Sequence, residues 1–135
     1  MDLIKEIVEF LNVVDEDFAP RLSERINFND FAIKVLEKSD LIVYRESTQI
    51  IGLVVLYCND YQTQRAYISL VAVHPEYRGR GIAKRMMNSA IQKAQRAGMS
   101  ILGIHTNNIV ALNMYLSFGF INVMPSERSY LELKL

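Results

Sequence analysis

A single cysteine, Cys58, and no tryptophan stand in a chain of 135 residues. One thiol closes no intrachain disulfide, and neither of the two histidines joins it in a metal-ligand spacing, so neither a disulfide scaffold nor a metal centre is expected. Long apolar runs are missing as well. The longest, Ile50 to Cys58 with Gly52 inside it, is half of what a membrane span needs, and Asp2, Lys5 and Glu6 spoil a secretory leader. The expectation is a soluble, cytoplasmic protein with no membrane contact. An excess of one charge is also absent, with 15 Lys+Arg against 15 Asp+Glu. Without bulk positive charge or tryptophan for base stacking, a nucleic-acid partner is not expected.

What is present points to one folded domain over residues 1–135, since half of the residues are hydrophobic, 22% are charged, and no repeat, low-complexity tract or linker interrupts them. The zero net charge hides a division. Up to Glu76 there are 7 basic and 13 acidic residues, and from Tyr77 onward 8 basic and 2 acidic. Such a split suits two chemically different sites, and it also suits solvated surface.

Apolar spacing predicts the elements. Leu3, Ile4, Ile7, Val8 and Leu11 recur at helical intervals, and Phe31, Ala32, Val35 and Leu36 mark a second helix, capped by Asn29 and stopped near Ser39-Asp40. Leu41–Tyr44 and Ile50–Tyr57 read as a hairpin, and Ala66–Val73 as a third strand that ends at His74-Pro75. Ile82, Met86, Ala90, Ile91 and Ala94 form the clearest helical stripe, with Gly98 at its left-handed cap. A strand at Ile101–Ile104, a helix at Asn108–Phe118 and two strands at Phe120–Met124 and Tyr130–Leu135 complete the chain. The fold class is α/β in the α+β sense: a mixed, largely antiparallel sheet flanked by helices, with one strand-helix-strand crossover.

The crossover carries the most informative segment, Arg78-Gly79-Arg80-Gly81-Ile82-Ala83-Lys84, between a strand end and the strongest helix. Glycines let the backbone approach a ligand, the first helical N–H groups lack internal partners, and the helix dipole favours an anion there. Basic residues at a helix start oppose that dipole by roughly 0.3–1 kcal/mol each, so the arrangement costs stability unless an anion offsets it. The segment is neither a P-loop nor a complete dinucleotide fingerprint. The same residues also suit a plain glycine-rich turn with a solvated basic surface.

Taken in order, the hairpin reaching Ile51-Gly52, the run Leu70-Val71-Ala72-Val73-His74-Pro75-Glu76-Tyr77, the signature Arg78-x-x-Gly81-x-Ala83 and Asn108-x-x-Ala111-Leu112-x-x-Tyr115-x-x-x-Gly119-Phe120 resemble the GNAT acetyltransferase superfamily. The resemblance covers roughly residues 41 to 120. It implies an acetyl-CoA-dependent N-acetyltransferase with no metal, in which an amine of a small molecule or peptide attacks the thioester directly. It further implies that the backbone of Val71, Ala72 and Val73 pairs with the pantetheine arm. The amides of Gly79, Arg80, Gly81, Ile82, Ala83 and Lys84 would hold the pyrophosphate, with Arg78 and Arg80 as charge partners. Asn108 would contact the cofactor near its thiol, and Tyr115 would serve as the acid for the leaving thiolate.

A base is harder to find. Tyr67 and Ser69 on the third strand are poor bases at neutral pH, Glu76 lies beyond it, and His74 reads as a strand-end cap. His105, just after the strand at Ile101–Ile104, is a candidate, and deprotonation through water is the favoured reading. Cys58 reads as a small core residue rather than a nucleophile. Asp15, Glu16 and Asp17 either attract a cationic amine or form a solvated loop. The first strand usual in the superfamily is missing, and exposed sheet edges fit a homodimer. A non-catalytic CoA-binding sensor or assembly subunit of the same fold is the alternative, and transfer of a longer acyl group is a third reading.

Overall fold

The computed structural model describes residues 2–135. Helix α1 (Leu3–Val14) starts on the side chain of Asp2, which accepts from the amides of Ile4 and Lys5, and it buries Ile7, Phe10, Leu11 and Val14 along one face. After a turn at Asp15–Asp17 comes a one-turn helix, α2 (Leu22–Arg25), which the apolar spacing does not predict. Helix α3 (Phe28–Lys38) is capped by Asn27, whose Oδ1 accepts from the Asp30 amide at 2.9 Å; Asn29, expected as the cap, lies inside the first turn.

Six strands follow: β1 (Asp40–Glu46), β2 (Gln49–Asp60), β3 (Arg65–Val73), β4 (Ile101–Thr106), β5 (Ile121–Met124) and β6 (Ser129–Lys134). Helix α4 (Ile82–Arg96) connects β3 to β4, and α5 (Ile109–Ser117) connects β4 to β5. The sheet order is β1-β2-β3-β4-β6-β5, antiparallel everywhere except between β3 and β4. A parallel neighbour needs a long crossover, which α4 supplies.

The sheet separates two cores. Ile7, Leu11, Val14, Ala32 and Val35 of α1 and α3 pack on Ile50, Leu53, Val55, Leu70 and Ala72. Met86, Met87, Ala90 and Ala94 of α4 pack on the other face, against Val54, Leu56, Ile68, Leu102 and Leu131. Each valine, leucine, isoleucine or methionine among them, taken fully out of water, contributes roughly 1.5–3 kcal/mol, and each alanine less.

Two bulges set which residue faces which core. In β2, Tyr44 pairs with Gly52 and Arg45 with Ile50, so Ile51 is extra and falls with Gly52 on the α4 side. In β3, Val55 pairs with Leu70 and Leu56 with Ile68, so Ser69 is extra. Ala66 and Ile68 therefore face α4 while Leu70 and Ala72 face α1 and α3. A bulge bends its strand. Past this one, β3 leaves β4: their pairing covers only Arg65–Ile68 against Ile101–Ile104, and Ser69–Val73 keeps one backbone edge free.

Gly52 lets α4 lie close to β2. A Cβ at this position would sit 2.9 Å from Met86 Sδ and 3.1 Å from Ile82 Cγ2, beneath a fully buried methionine. Gly52→Ala should therefore lower unfolding free energy by about 1–3 kcal/mol, measured by urea denaturation, and Gly52→Val by more.

Candidate functional site

The start of α4 differs from that of every other helix of eight or more residues among those described. Asp2, Asn27 and Asn108 cap α1, α3 and α5 with side-chain oxygens, whereas α4 has Gly81 at its cap position and no side-chain partner. Gly79 and Gly81 both take left-handed backbone angles, with φ of 79° and 77°. That curl is open to glycine at little cost. The first bond of the helix runs from the Arg85 amide to Gly81 O at 3.1 Å. The six preceding amides, Gly79 through Lys84, have no acceptor among the described residues. A Cβ added at Gly79 would meet nothing within 4 Å, so the concave side is open.

Cations surround this row of donors. The Arg80 guanidinium lies over the Tyr77 ring at 4.9 Å, and Arg85 Nη2 donates to Arg80 O at 2.7 Å. Arg80, Lys84 and Arg85 have no carboxylate partner among the described residues. Six unpartnered donors at a positive helix end, with unpaired cations beside them, fit a pyrophosphate in both shape and charge.

Arg78 is placed differently. Its Nε and Nη2 donate to Val73 O at 3.2 and 3.1 Å, and Nη2 also forms an ion pair with Asp17. It thus closes the last carbonyl of β3 and ties down the Asp15–Asp17 turn. The other acids of that turn are engaged too. Asp15 accepts from the amide and hydroxyl of Ser23 at 2.7 Å each, which holds its carboxyl below the usual range, and Glu16 lies 3.9 Å from Arg21. The turn is bound on the β4 side as well, where Asn107 Nδ2 donates to Ala19 O at 3.1 Å. Two of the three acids are therefore spent on shaping the mouth between β3 and β4, which leaves little charge there to attract an amine.

Val71 and Val73 lie at the free edge of β3, and their half-buried side chains join the core that holds Ile82 and Tyr115. Tyr115 is 4% exposed, its ring 5.9 Å from that of Phe120. Burial alone pushes its phenol up to about 12, with no protein hydrogen bond contributing. Asn108 begins α5: its Oδ1 accepts from the amides of Val110 and Ala111 at 2.9 and 3.0 Å. His74 does end its strand, with Nδ1 accepting from the Glu76 amide at 3.1 Å. Cys58 is buried, and burial followed by the Asp40 carboxylate raises its thiol pKa, so the reactive thiolate form is disfavoured.

The structure also assembles a group that reading residues singly does not find. His105 lies within β4 rather than after it, and its Nδ1 is 2.7 Å from Tyr67 Oη on β3. Burial, then the nearby Arg128, lowers the His105 pKa, and burial raises that of Tyr67. Both are therefore neutral at pH 7, with the phenol donating to Nδ1. The available signal was strand parity: residues 67, 103, 105, 130 and 132 fall on one face once the register is known. Among the described residues, no group of three or more His, Cys, Asp or Glu side chains is placed to hold a metal, and no helix is long and apolar enough to cross a membrane.

The capping role of Asn108 is separable from any ligand contact. Asn108→Ala should cost about 1 kcal/mol of stability while Asn108→Asp should keep it, as thermal unfolding would show. A shared loss of CoA affinity in both variants would assign the side-chain amide to the ligand.

Comparison with known proteins bears on the fold and the family. The model of the acetyltransferase (GNAT) family matches residues 4–120. N-alpha-acetyltransferase 30 of Saccharomyces cerevisiae is 41% identical over 70 residues, which are 50% of this chain and 40% of that protein. The chain thus spans about two fifths of the length of that relative. Among solved structures, the PaiA N-acetyltransferase of Thermoplasma acidophilum in complex with coenzyme A superposes with a TM-score of 0.77 at 14% identity, over 98% of this chain and 94% of that one. The ribosomal-protein-S18-alanine N-acetyltransferase of Escherichia coli gives 0.68 at 17% identity, over 81% and 77%. At these identities the two structures speak for the fold, and the match over residues 4–120 for the family: the chain belongs to the acetyltransferase (GNAT) family.

Proposed function

We propose that this protein transfers an acetyl group from acetyl-CoA to a primary amine, by direct attack of the amine within a ternary complex. The observation that carries the reading is the uncapped start of α4, with six amides lacking acceptors beside three unpaired cations. These amides would bind the pyrophosphate, Arg80 and Lys84 would add charge, and the free edge of Val71–Val73 would pair with the pantetheine arm as an added strand. When bound, acetyl-CoA supplies an activated thioester; the protein supplies position, hydrogen bonds and proton transfer.

Proton handling divides between two tyrosines. At the mouth, Tyr67 Oη takes a proton from the acceptor ammonium side while passing its own to Nδ1 of His105, which is neutral and able to receive it. This pair replaces the water-only route as the favoured base. Inside, Tyr115 keeps its proton at neutral pH because burial raises its pKa to about 12. Full transfer from such a phenol to a thiolate with a pKa of about 8.5 is uphill by roughly 5 kcal/mol. Tyr115 therefore acts first as a hydrogen-bond donor to the leaving sulfur rather than as a strong acid. A covalent enzyme intermediate is disfavoured, since the one thiol is buried.

The acceptor is a peptide or small-molecule amine. The name of the yeast relative, an N-alpha-acetyltransferase, favours a peptide N-terminus. The non-catalytic CoA-binding alternative draws on the missing strand base and the missing first strand, and the Tyr67–His105 pair speaks against the first of these grounds.

Thiol release from acetyl-CoA should rise above hydrolysis with at least one class among peptide N-termini, amino acids, polyamines and amino sugars. Silence across all four would favour the binding-module reading. Tyr115→Phe should lower kcat by about 10–100-fold with CoA affinity within twofold, and equal losses of both would mean a packing role. Because neutral His105 is the working form, kcat should fall only as pH drops through its lowered pKa, below the ordinary histidine value of about 6.5. In Tyr67→Phe that acid limb should disappear, along with most of the turnover.

A further inference from the structure

On the sheet face that carries His105, five residues of three neighbouring strands form a continuous row. Strand β4 lies between β3 and β6, with Tyr67 level with Gly103, His105 level with Tyr130, and Gly103 level with Glu132. Tyr130 leans along this face over Gly103 rather than standing upright. A Cβ at Gly103 would lie 2.4 Å from Tyr130 Oη and 2.9 Å from its Cε1, closer than real atoms approach. The bare backbone of Gly103 is thus what admits the phenol.

The far end of the phenol is pinned. Tyr130 Oη donates to Glu132 Oε2 at 2.9 Å, and the same oxygen accepts from Arg65 Nη1 at 2.5 Å. Burial favours the neutral acid, but the Tyr130 and Arg65 bonds outweigh it, so Glu132 stays ionised and holds the phenol. The near side of the ring rests on the imidazole of His105, with centroids 4.8 Å apart and planes tilted by 43°. On its other flank, His105 meets the Tyr67 ring at 5.7 Å in addition to the hydrogen bond at Nδ1. The imidazole stands between two tyrosines from opposite neighbouring strands.

We infer that Tyr130, seated on Gly103 and anchored by the Arg65–Glu132 ion pair, is a positioning residue that holds the His105 ring with Nδ1 toward Tyr67 Oη. The inference rests on the base assignment given to His105 above, and it adds four residues, Arg65, Gly103, Tyr130 and Glu132, to the parts that assignment needs. Tyr67 of β3 and Tyr130 of β6 touch His105, Arg128 of the turn before β6 lies near it, and Arg65 and Glu132 share its sheet face further along. Because Arg65 and Glu132 pair with each other, the anchor adds little net charge beside the imidazole. Its effect is on ring placement and on exclusion of water. Displacing the Tyr130 ring should let water reach His105 and raise its pKa toward the ordinary value, since burial is the main cause that lowers it.

The test reads His105 itself. With His74 the only other histidine, NMR titration of the two imidazoles assigns each through a His74→Gln control. Gly103→Ala should raise the His105 pKa measurably and shift its ring signals away from the form protonated at Nε2. It should also lower kcat at least tenfold, leaving CoA affinity within twofold. Adding Tyr130→Ala relieves the clash and should recover the thermal midpoint but not the pKa or kcat, whereas a purely structural role would recover all three. Tyr130→Phe keeps the ring without its anchor and should fall between wild type and Gly103→Ala. An unchanged His105 titration in folded Gly103→Ala would overturn the inference. A His105 pKa that moves while the acid limb of kcat stays in place would uphold the positioning role and refute the base assignment instead.

Discussion

The pairing of β3 with β4 stops after four residue pairs, and most of what is distinctive in this molecule follows from that stop. Ser69 is inserted into β3 at the same level, the strand bends, and two parallel strands that would otherwise continue side by side open into a wedge. Backbone groups on the open edge are left to find other partners. One of them, Val73 O, is taken by Arg78. Helix α4 begins after β3 with its amides uncapped, Tyr115 lies in the core that Val71 and Val73 join, and Tyr67 and His105 sit one residue before and one residue after the last paired level of β3 and β4, Ile68 with Ile104. A single bulge in the sheet thus accompanies an open strand edge, the uncapped start of α4 and the Tyr67–His105 hydrogen bond across the last levels of the paired strands.

The charge division takes on a different meaning in three dimensions. In the acidic half, four of the 13 acids form ion pairs among the described residues, Glu6 with Arg45, Glu16 with Arg21, Asp17 with Arg78 and Asp40 with Lys93, and Asp15 is held by Ser23. Exposed pairs of this kind contribute little to stability, so their value lies in placing the Asp15–Asp17 turn. The basic half keeps Arg80, Lys84 and Arg85 without carboxylate partners, all near one helix end. This unpaired positive charge at the start of α4, rather than the overall balance, is what distinguishes the basic half.

Elements with strong periodicity were legible in the sequence. The stripe Ile82, Met86, Ala90 and Ala94 does pack as one helical face, and Gly98 and Gly119 do take left-handed angles where the helices end. The four-residue α2 was not, since one turn is too short to show a period. Strand faces were hidden for a different reason. Ala66, Ile68, Leu70 and Ala72 alternate as if they shared one face, but the bulge at Ser69 sends the first two to one core and the last two to the other. The site divides in the same way. The glycines and cations of Arg78–Lys84 lie together in sequence, and their chemistry was readable as a local motif. Asn108 was legible as a motif residue but not as a cap, and Tyr67, His105 and Tyr130 meet only through a register that three separate strands must fix together.

The wedge and the start of α4 are proposed together to receive coenzyme A. Backbone amide shifts in a titration of the isotopically labelled protein test it most directly, comparing CoA with pantetheine, which lacks the pyrophosphate. CoA should move the amides of Gly79–Lys84 together with those along Val71–Val73, and saturating pantetheine should move the strand edge alone. Amides of Gly79–Lys84 that stay in place at saturating CoA would contradict it.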